Sequence, residues 1–272
     1  MIPVRNTQND GQRGAAALVE VRDLKVTISG RQVASLPDLN LGPGECVALV
    51  GESGSGKTTS LLALLGLLRA SDCAVSGSVR VCDVDVLAAS PNQLRSLRGA
   101  RIALVMQSPQ GSLNPTMRLG VLLRHALTLH GIKGRPALSR IKLALDSVRL
   151  QESILRRYPH EISGGQAQRF GIALALALGA DIIAADEPTS ALDVTVQAEI
   201  MALLQQLRQQ QGMALLLVSH DLALVSTVAD RVIVMRDGQV VESGPAQQVL
   251  QNPAEPYTRE LLAAVPTLEG AK

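Results

Sequence analysis

The stretch Cys46-Val47-Ala48-Leu49-Val50-Gly51-Glu52-Ser53-Gly54-Ser55-Gly56-Lys57-Thr58-Thr59 constrains the fold more than any other. Its five leading apolar residues read as a short strand buried on both faces, the kind found in sheets covered by helices. Gly51 to Thr58 fits the phosphate-binding pattern G-x-x-x-x-G-K-[ST]. Gly51, Gly54 and Gly56 let the backbone turn with its N–H groups inward, a nest for an anionic phosphate. Lys57 can then reach the β- and γ-phosphates, and the Thr58 hydroxyl can hold Mg²⁺. A helix starting at Thr58 turns its positive end toward the same phosphates. The competing reading is a glycine turn that merely joins strand to helix. Strand, loop and helix in this order favour a nucleotide site, with Glu52, Ser53, Ser55 and Thr59 completing the cradle.

Composition narrows what such a site serves. The chain of 272 residues is long enough for one large domain or two small ones. Only Tyr158, Tyr257 and Phe170 are aromatic, so the core must be aliphatic. A net charge of +2, with no long basic run and few rings to stack bases, argues against nucleic-acid binding. Cys46, Cys73 and Cys82 lack metal-type spacing and suit reduced thiols in a cytoplasmic protein. The apolar runs Leu61 to Leu68 and Gly171 to Ala180 fall short of the roughly 18 residues that cross a bilayer. Any membrane role must therefore come through a partner.

Taken in order, residues 1–16 are polar and read as a disordered tail. Leu18 to Ile28 alternates apolar and polar residues, a strand pattern with one wet face. Gly30-Arg31 and Leu41 to Gly44 read as turns. The helix after Thr58 carries leucines at 61, 62, 64, 65, 67 and 68, nearly all round, and is expected between layers. Gly77 to Val86 returns to strand alternation, and Ile102 to Met106 is a short strand ending at Gln107. A polar loop, Ser108 to Pro115, then opens a mainly helical insertion, with helical spacing over Leu119 to Leu150 broken at Gly131 to Pro136. Strands are expected again at Ile182 to Ala185, Ala214 to Val218 and Val232 to Met235, with an amphipathic helix over Val194 to Gln211. Strands alternating with helices imply a parallel sheet covered on both faces.

Two further clusters carry chemistry. Asp186 and Glu187 close a buried strand, where ligands bind in parallel sheets. Asp186 suits the Mg²⁺ shell, and Glu187 could polarise an attacking water, although the pair alone could equally cap a helix. Ser163-Gly164-Gly165-Gln166 opens a helix and could bind another anion. By itself it reads more simply as a capping serine followed by flexible glycines.

Together these motifs resemble the nucleotide-binding subunit of ABC transporters. Gly51 to Thr58, Gln107, Ile162 to Gln166, Asp186 to Asp193 and His220 are similar, in order and spacing, to its Walker A, Q-loop, signature, Walker B with D-loop, and switch histidine. The resemblance implies an α/β fold: a P-loop ATPase core with a mainly parallel sheet, an N-terminal antiparallel β layer and an inserted helical subdomain. It divides the chain into core residues 17–107, a helical subdomain 108–180, a second core part 181–245 and a helical C-terminal tail 246–272. It further implies ATP and Mg²⁺ as ligands, with Thr58, Gln107 and (through water) Asp186 around the metal. Glu187 becomes the general base, His220 the group that holds the γ-phosphate, and Gln107 the link from γ-phosphate to the helical insertion. In this family two cassettes pack head to tail, so Ser163, Gly164, Gly165 and Gln166 would serve the partner's ATP. The place where the family usually stacks adenine on an aromatic ring falls here at Ile28.

Met106 to Pro109, Gly111 to Pro115 and Asn252 to Arg259 with Leu261-Leu262 and Val265-Pro266 resemble the di/oligopeptide and nickel importer branch. The lack of a Cys-containing C-terminal extension is similar to the nickel or metal-chelate type, whereas Ser112 to Pro115 pulls toward peptides. The resemblance implies a second, non-identical cassette, two membrane permeases and an extracytoplasmic substrate-binding protein as partners. It also implies peripheral attachment at the cytoplasmic face of the membrane. A soluble P-loop kinase or a non-transport ABC-type ATPase is the alternative.

Overall fold

The computed structural model describes residues 17–68 and 72–264. The expected N-terminal tail and the Val265-Pro266 pair lie outside them. The chain opens with a hairpin, β1 (Val19–Ile28) and β2 (Arg31–Leu41), turned at Ser29-Gly30. Apolar residues of β1 switch from odd positions (Val19, Val21) to even ones (Leu24, Val26), yet all four are fully buried. A bulge reconciles this: Asp23 takes a positive φ of 49°, and the register with the neighbouring strand shifts between Arg22 and Lys25.

The buried run becomes β3 (Cys46–Val50), followed by α1 (Lys57–Leu64). This helix is shorter than the leucine pattern suggests. Gly66, at φ 62°, donates to Ala63 O while Leu67 N donates to Leu62 O, a Schellman stop that leaves Leu67 exposed. Next come β4 (Cys73–Val81), β5 (Val84–Asp85), α2 (Pro91–Leu97) and β6 (Ile102–Val105). Helices then run as α3 (Pro109–Ser112), α4 (Leu119–Leu129), α5 (Gly134–Ser147) and α6 (Gly164–Leu178), with short 3₁₀ turns before α6. The expected break at Gly131 to Pro136 is narrower, because Pro136 fits inside the first turn of α5, where its missing N–H costs nothing.

The second half continues with β7 (Ile182–Asp186), α7 (Val194–Gln211), β8 (Ala214–Ser219), α8 (Leu222–Val228) and β9 (Arg231–Arg236). Asp237-Gly238, both at positive φ, turns the chain into β10 (Gln239–Pro245), and α9 (Ala246–Gln251) and α10 (Pro256–Ala263) follow. β10 has no buried residue, so hydropathy alone gave no sign of it.

Two sheets result. The antiparallel one runs β2-β1-β4-β5, and the larger one runs β10-β9-β3-β8-β7-β6, parallel except for β10 at its edge. Successive residues of β3 face opposite layers. Val47 and Leu49 pack with α1 and the antiparallel sheet, whereas Cys46, Ala48 and Val50 pack with the helices of the other face. Helix α1 is thus enclosed between layers, as its leucines predicted. Register then sets the site: Val50 lies opposite Ser219, and Val218 opposite Asp186. The residues that follow these strand ends, Gly51, His220 and Glu187, are brought to one edge of the sheet.

Candidate nucleotide site

The loop after β3 has the shape its glycines demand. Gly51 sits at φ 144°, and a Cβ there would fall 2.1 Å from Met235 O. Gly56, the residue before α1, has φ 97°, and a Cβ would fall 2.8 Å from Val33 O. Side chains are excluded from the cradle by backbone packed directly against it. The N-terminus of α1 carries no side-chain cap, which leaves its first N–H groups for a ligand.

Lys57 is buried, and its ammonium donates to Gly51 O at 2.8 Å, Glu52 O at 2.7 Å and Ser55 Oγ at 3.2 Å. Burial pushes its pKa below the ordinary lysine range, opposed by the charges of Glu187, Asp186 and Glu52. Thr58 Oγ1 donates to Asp186 Oδ1 at 2.9 Å, joining the start of α1 to the end of β7 across 128 positions. Burial raises the Asp186 pKa, the Thr58 hydrogen bond lowers it, and the neighbouring Glu187 charge raises it again. A hydroxyl and a carboxylate in contact beside a lysine suit the hard oxygen shell of Mg²⁺ and the phosphates of a nucleotide.

Beyond Asp186 the chain turns sharply. Glu187 adopts a left-handed φ of 45°, held by its N–H donating to Val218 O at 2.8 Å and by Ser190 N and Oγ donating to its carbonyl. Such a backbone costs about 1–3 kcal/mol and is common where a functional side chain is aimed. The Glu187 carboxylate lies 2.9 Å from His220 Nδ1. An ionised carboxylate only accepts, so the Nδ1–H donates to it and Nε2 stays outside this contact.

Gln107, just past β6, is exposed, and nearby Gln110 donates to Ile162 O at 2.6 Å, at the first residue of the signature segment. Ser163 N-caps α6 in a reciprocal box: Gln166 N donates to Ser163 Oγ at 3.3 Å, and Ser163 N donates to Gln166 Oε1 at 3.1 Å. Gly164 and Gly165 pack on Leu192 and Val196, where a Cβ on Gly165 would come within 2.7 Å of Val196 Cγ1. Ser163 is exposed, and among the described residues no hydrogen bond joins Ser163–Gln166 to the phosphate loop. The structure therefore gathers Lys57, Thr58, Asp186, Glu187 and His220, and presents the second anion motif elsewhere on the surface.

At the expected adenine position, Ile28 is half-buried against the core of the antiparallel layer. Sequence reasoning missed Tyr257. This buried side chain of α10 accepts a hydrogen bond from Glu52 N at 3.2 Å, and the Arg236 guanidinium lies over its ring at 4.6 Å. A tyrosine in a C-terminal tail carries no local signal for such a contact.

Comparison with known proteins agrees with this architecture. Residues 36–190 match the family model described as ABC transporter, and residues 241–272 match that of the oligopeptide/dipeptide transporter C-terminal region. A Brucella abortus (strain 2308) protein named for ATP binding in peptide import is 45% identical over 93% of this chain and 79% of its own. The oligopeptide transport ATP-binding protein OppD of Salmonella typhimurium is 41% identical over 98% of this chain and 82% of its own. Among solved structures, the dimeric ATP-binding cassette MJ0796 with ADP and Pi bound superposes with a TM-score of 0.72 at 28% identity, covering 84% of this chain and 98% of that one. This chain belongs to the ABC transporter family, as an ATP-hydrolysing cassette of its import machinery.

Proposed function

We propose that Gly51 to Thr59 binds the triphosphate of ATP, with Lys57 on the β- and γ-phosphates, and that Thr58, Gln107 and Asp186 surround Mg²⁺, Asp186 through water. The contact of Thr58 with Asp186 carries this reading, because it joins the loop and the acid strand at one point. When bound, Mg²⁺ screens the negative charge of the terminal phosphates. Glu187 takes the proton of the attacking water, and His220, oriented by its Nδ1–H on that carboxylate, turns Nε2 toward the γ-phosphate. Ser163, Gly164, Gly165 and Gln166 bind the ATP of a facing cassette, a reading supported by the exposure of Ser163 and by the motif's separation from its own loop.

In this reading the helical segment 108–180, between core parts 17–107 and 181–245, moves with γ-phosphate sensing through Gln107, and residues 246–272 form the C-terminal tail. ATP favours the closed pair of cassettes over the open one, and that difference in affinity is the energy available to reorient two membrane permeases. The partner cassette is a non-identical paralogue, and a substrate-binding protein delivers cargo from outside. Among the described residues no helix is long and apolar enough to cross a membrane, which suits peripheral attachment at the cytoplasmic face. Peptides are favoured over nickel or metal chelates as cargo by the match over residues 241–272 and by the relatives' names.

The test is purification of the tagged chain from its native membrane, followed by reconstitution in vesicles. Co-purifying permeases and cargo-stimulated release of phosphate into water are expected. Phosphate transferred to an acceptor, or full hydrolysis by this chain alone, would overturn the proposal.

A further inference from the structure

The Gly51–Glu52 peptide unit is gripped at both ends by residues from distant parts of the chain. Its carbonyl accepts from Lys57 Nζ at 2.8 Å, and its N–H donates to the Tyr257 hydroxyl at 3.2 Å, across 205 positions. The Tyr257 ring is itself fixed. It is buried on α10, and Arg236, at the end of β9, lies over its face. Met235, one residue earlier, places its carbonyl so close to Gly51 that no Cβ fits between them.

The segment that carries Tyr257 is clamped in turn. Glu242 of β10 accepts from Ala254 N at 2.8 Å and from Glu255 N at 3.3 Å. Arg259 Nη1 donates to Pro253 O and Ala254 O, both at 3.0 Å. An unbroken chain of contacts thus runs from the edge strand through α10 to the first peptide of the phosphate loop.

We propose that Tyr257 is a positioning residue for nucleotide binding: its hydroxyl fixes the tilt of the Gly51–Glu52 peptide and hence where the Lys57 ammonium sits. A peptide unit rotates as a plane, so loosening its N–H end swings the carbonyl that anchors Lys57. The C-terminal segment is by this route part of the nucleotide site, although none of its residues needs to touch the nucleotide. The inference rests on the reading that Lys57 binds phosphate.

Tyr257→Phe tests it, because it keeps the ring, its burial and the arginine contact and removes only the hydroxyl. MgATP affinity of the full chain is measured by titration calorimetry for wild type, Tyr257→Phe and Lys57→Ala, alongside Tm without nucleotide and hydrogen exchange at Glu52. Loss of one ordinary hydrogen bond predicts a three- to tenfold weaker Kd, roughly, with faster exchange at Glu52 and Tm within about 2 °C of wild type. Lys57→Ala is expected to weaken binding on the order of a hundredfold or more. An unchanged Kd in Tyr257→Phe with binding lost in Lys57→Ala overturns the role of Tyr257 and leaves the nucleotide site standing. A lower Tm with unchanged Kd also overturns it, since the hydroxyl would then be structural only. Unchanged binding in Lys57→Ala would instead remove the phosphate-binding reading itself.

Discussion

His220 Nδ1 lies 2.9 Å from Glu187 Oε1, although 33 positions separate them and each follows a different strand of the parallel sheet. The pairing calls for a proton on Nδ1 and sets the direction of the carboxylate. Two groups that would act on one water are thereby oriented before any ligand binds.

Glu187→Gln keeps the shape of that pair and removes the proposed base. Turnover in the assembled complex is expected to fall about 10²- to 10⁴-fold, while ATP-dependent pairing of cassettes persists. Phosphate release and size-exclusion chromatography measure the two effects, and undiminished turnover would remove Glu187 from the base role.

Ser163→Ala deletes the acceptor that caps α6. A lost cap costs about 1 kcal/mol, which for a chain of this size lowers Tm by roughly 2–4 °C. MgATP binding to the isolated chain should be unaffected, whereas turnover of paired cassettes drops about tenfold, as for loss of one hydrogen bond to a charged group. Equal loss of binding in the isolated chain would place the serine at its own nucleotide instead.

Gly51→Ala forces a Cβ against the Met235 carbonyl at a φ of 144°. Strain and overpacking together predict a loss of about 2 kcal/mol or more in urea unfolding, with nucleotide binding abolished. A variant that binds MgATP normally would mean the loop can open away from β9 at little cost.

Lys57 supplies a pH signature. Burial holds its folded pKa below the ordinary 10.5, so between those values the unfolded chain carries a proton that the folded chain lacks. Stability contributed by this group therefore rises with pH across that window. The stability difference between wild type and Lys57→Met should shift in favour of wild type as pH rises toward 10.5, as followed by urea unfolding. Over the same range MgATP affinity of the wild type should weaken, as the ammonium is lost. A flat difference would show that Lys57 titrates as a free lysine.

Much of the site was legible because its signals are local. A run of five apolar residues makes a buried strand wherever it stands, and the glycines of 51–56 permit one family of turns. Ser163 with Gln166 spells a capping box within four residues, and α7 begins and ends where its pattern does. Helix α1 outran its true end on paper, since leucines continue past Gly66 while the backbone turns at it.

The amino-acid order by itself thus determined most of the strands, the phosphate loop, the main helix starts and the candidate site residues, because each depends on neighbours a few positions away. Tertiary structure alone decided which of them meet. The register of β3, β8 and β7 sets Thr58 on Asp186 and Glu187 on His220, and the return of α10 sets Tyr257 on Glu52. Those contacts span 33 to 205 positions, and the free energy that holds them comes from burying two layers of aliphatic side chains, which no single stretch of sequence displays.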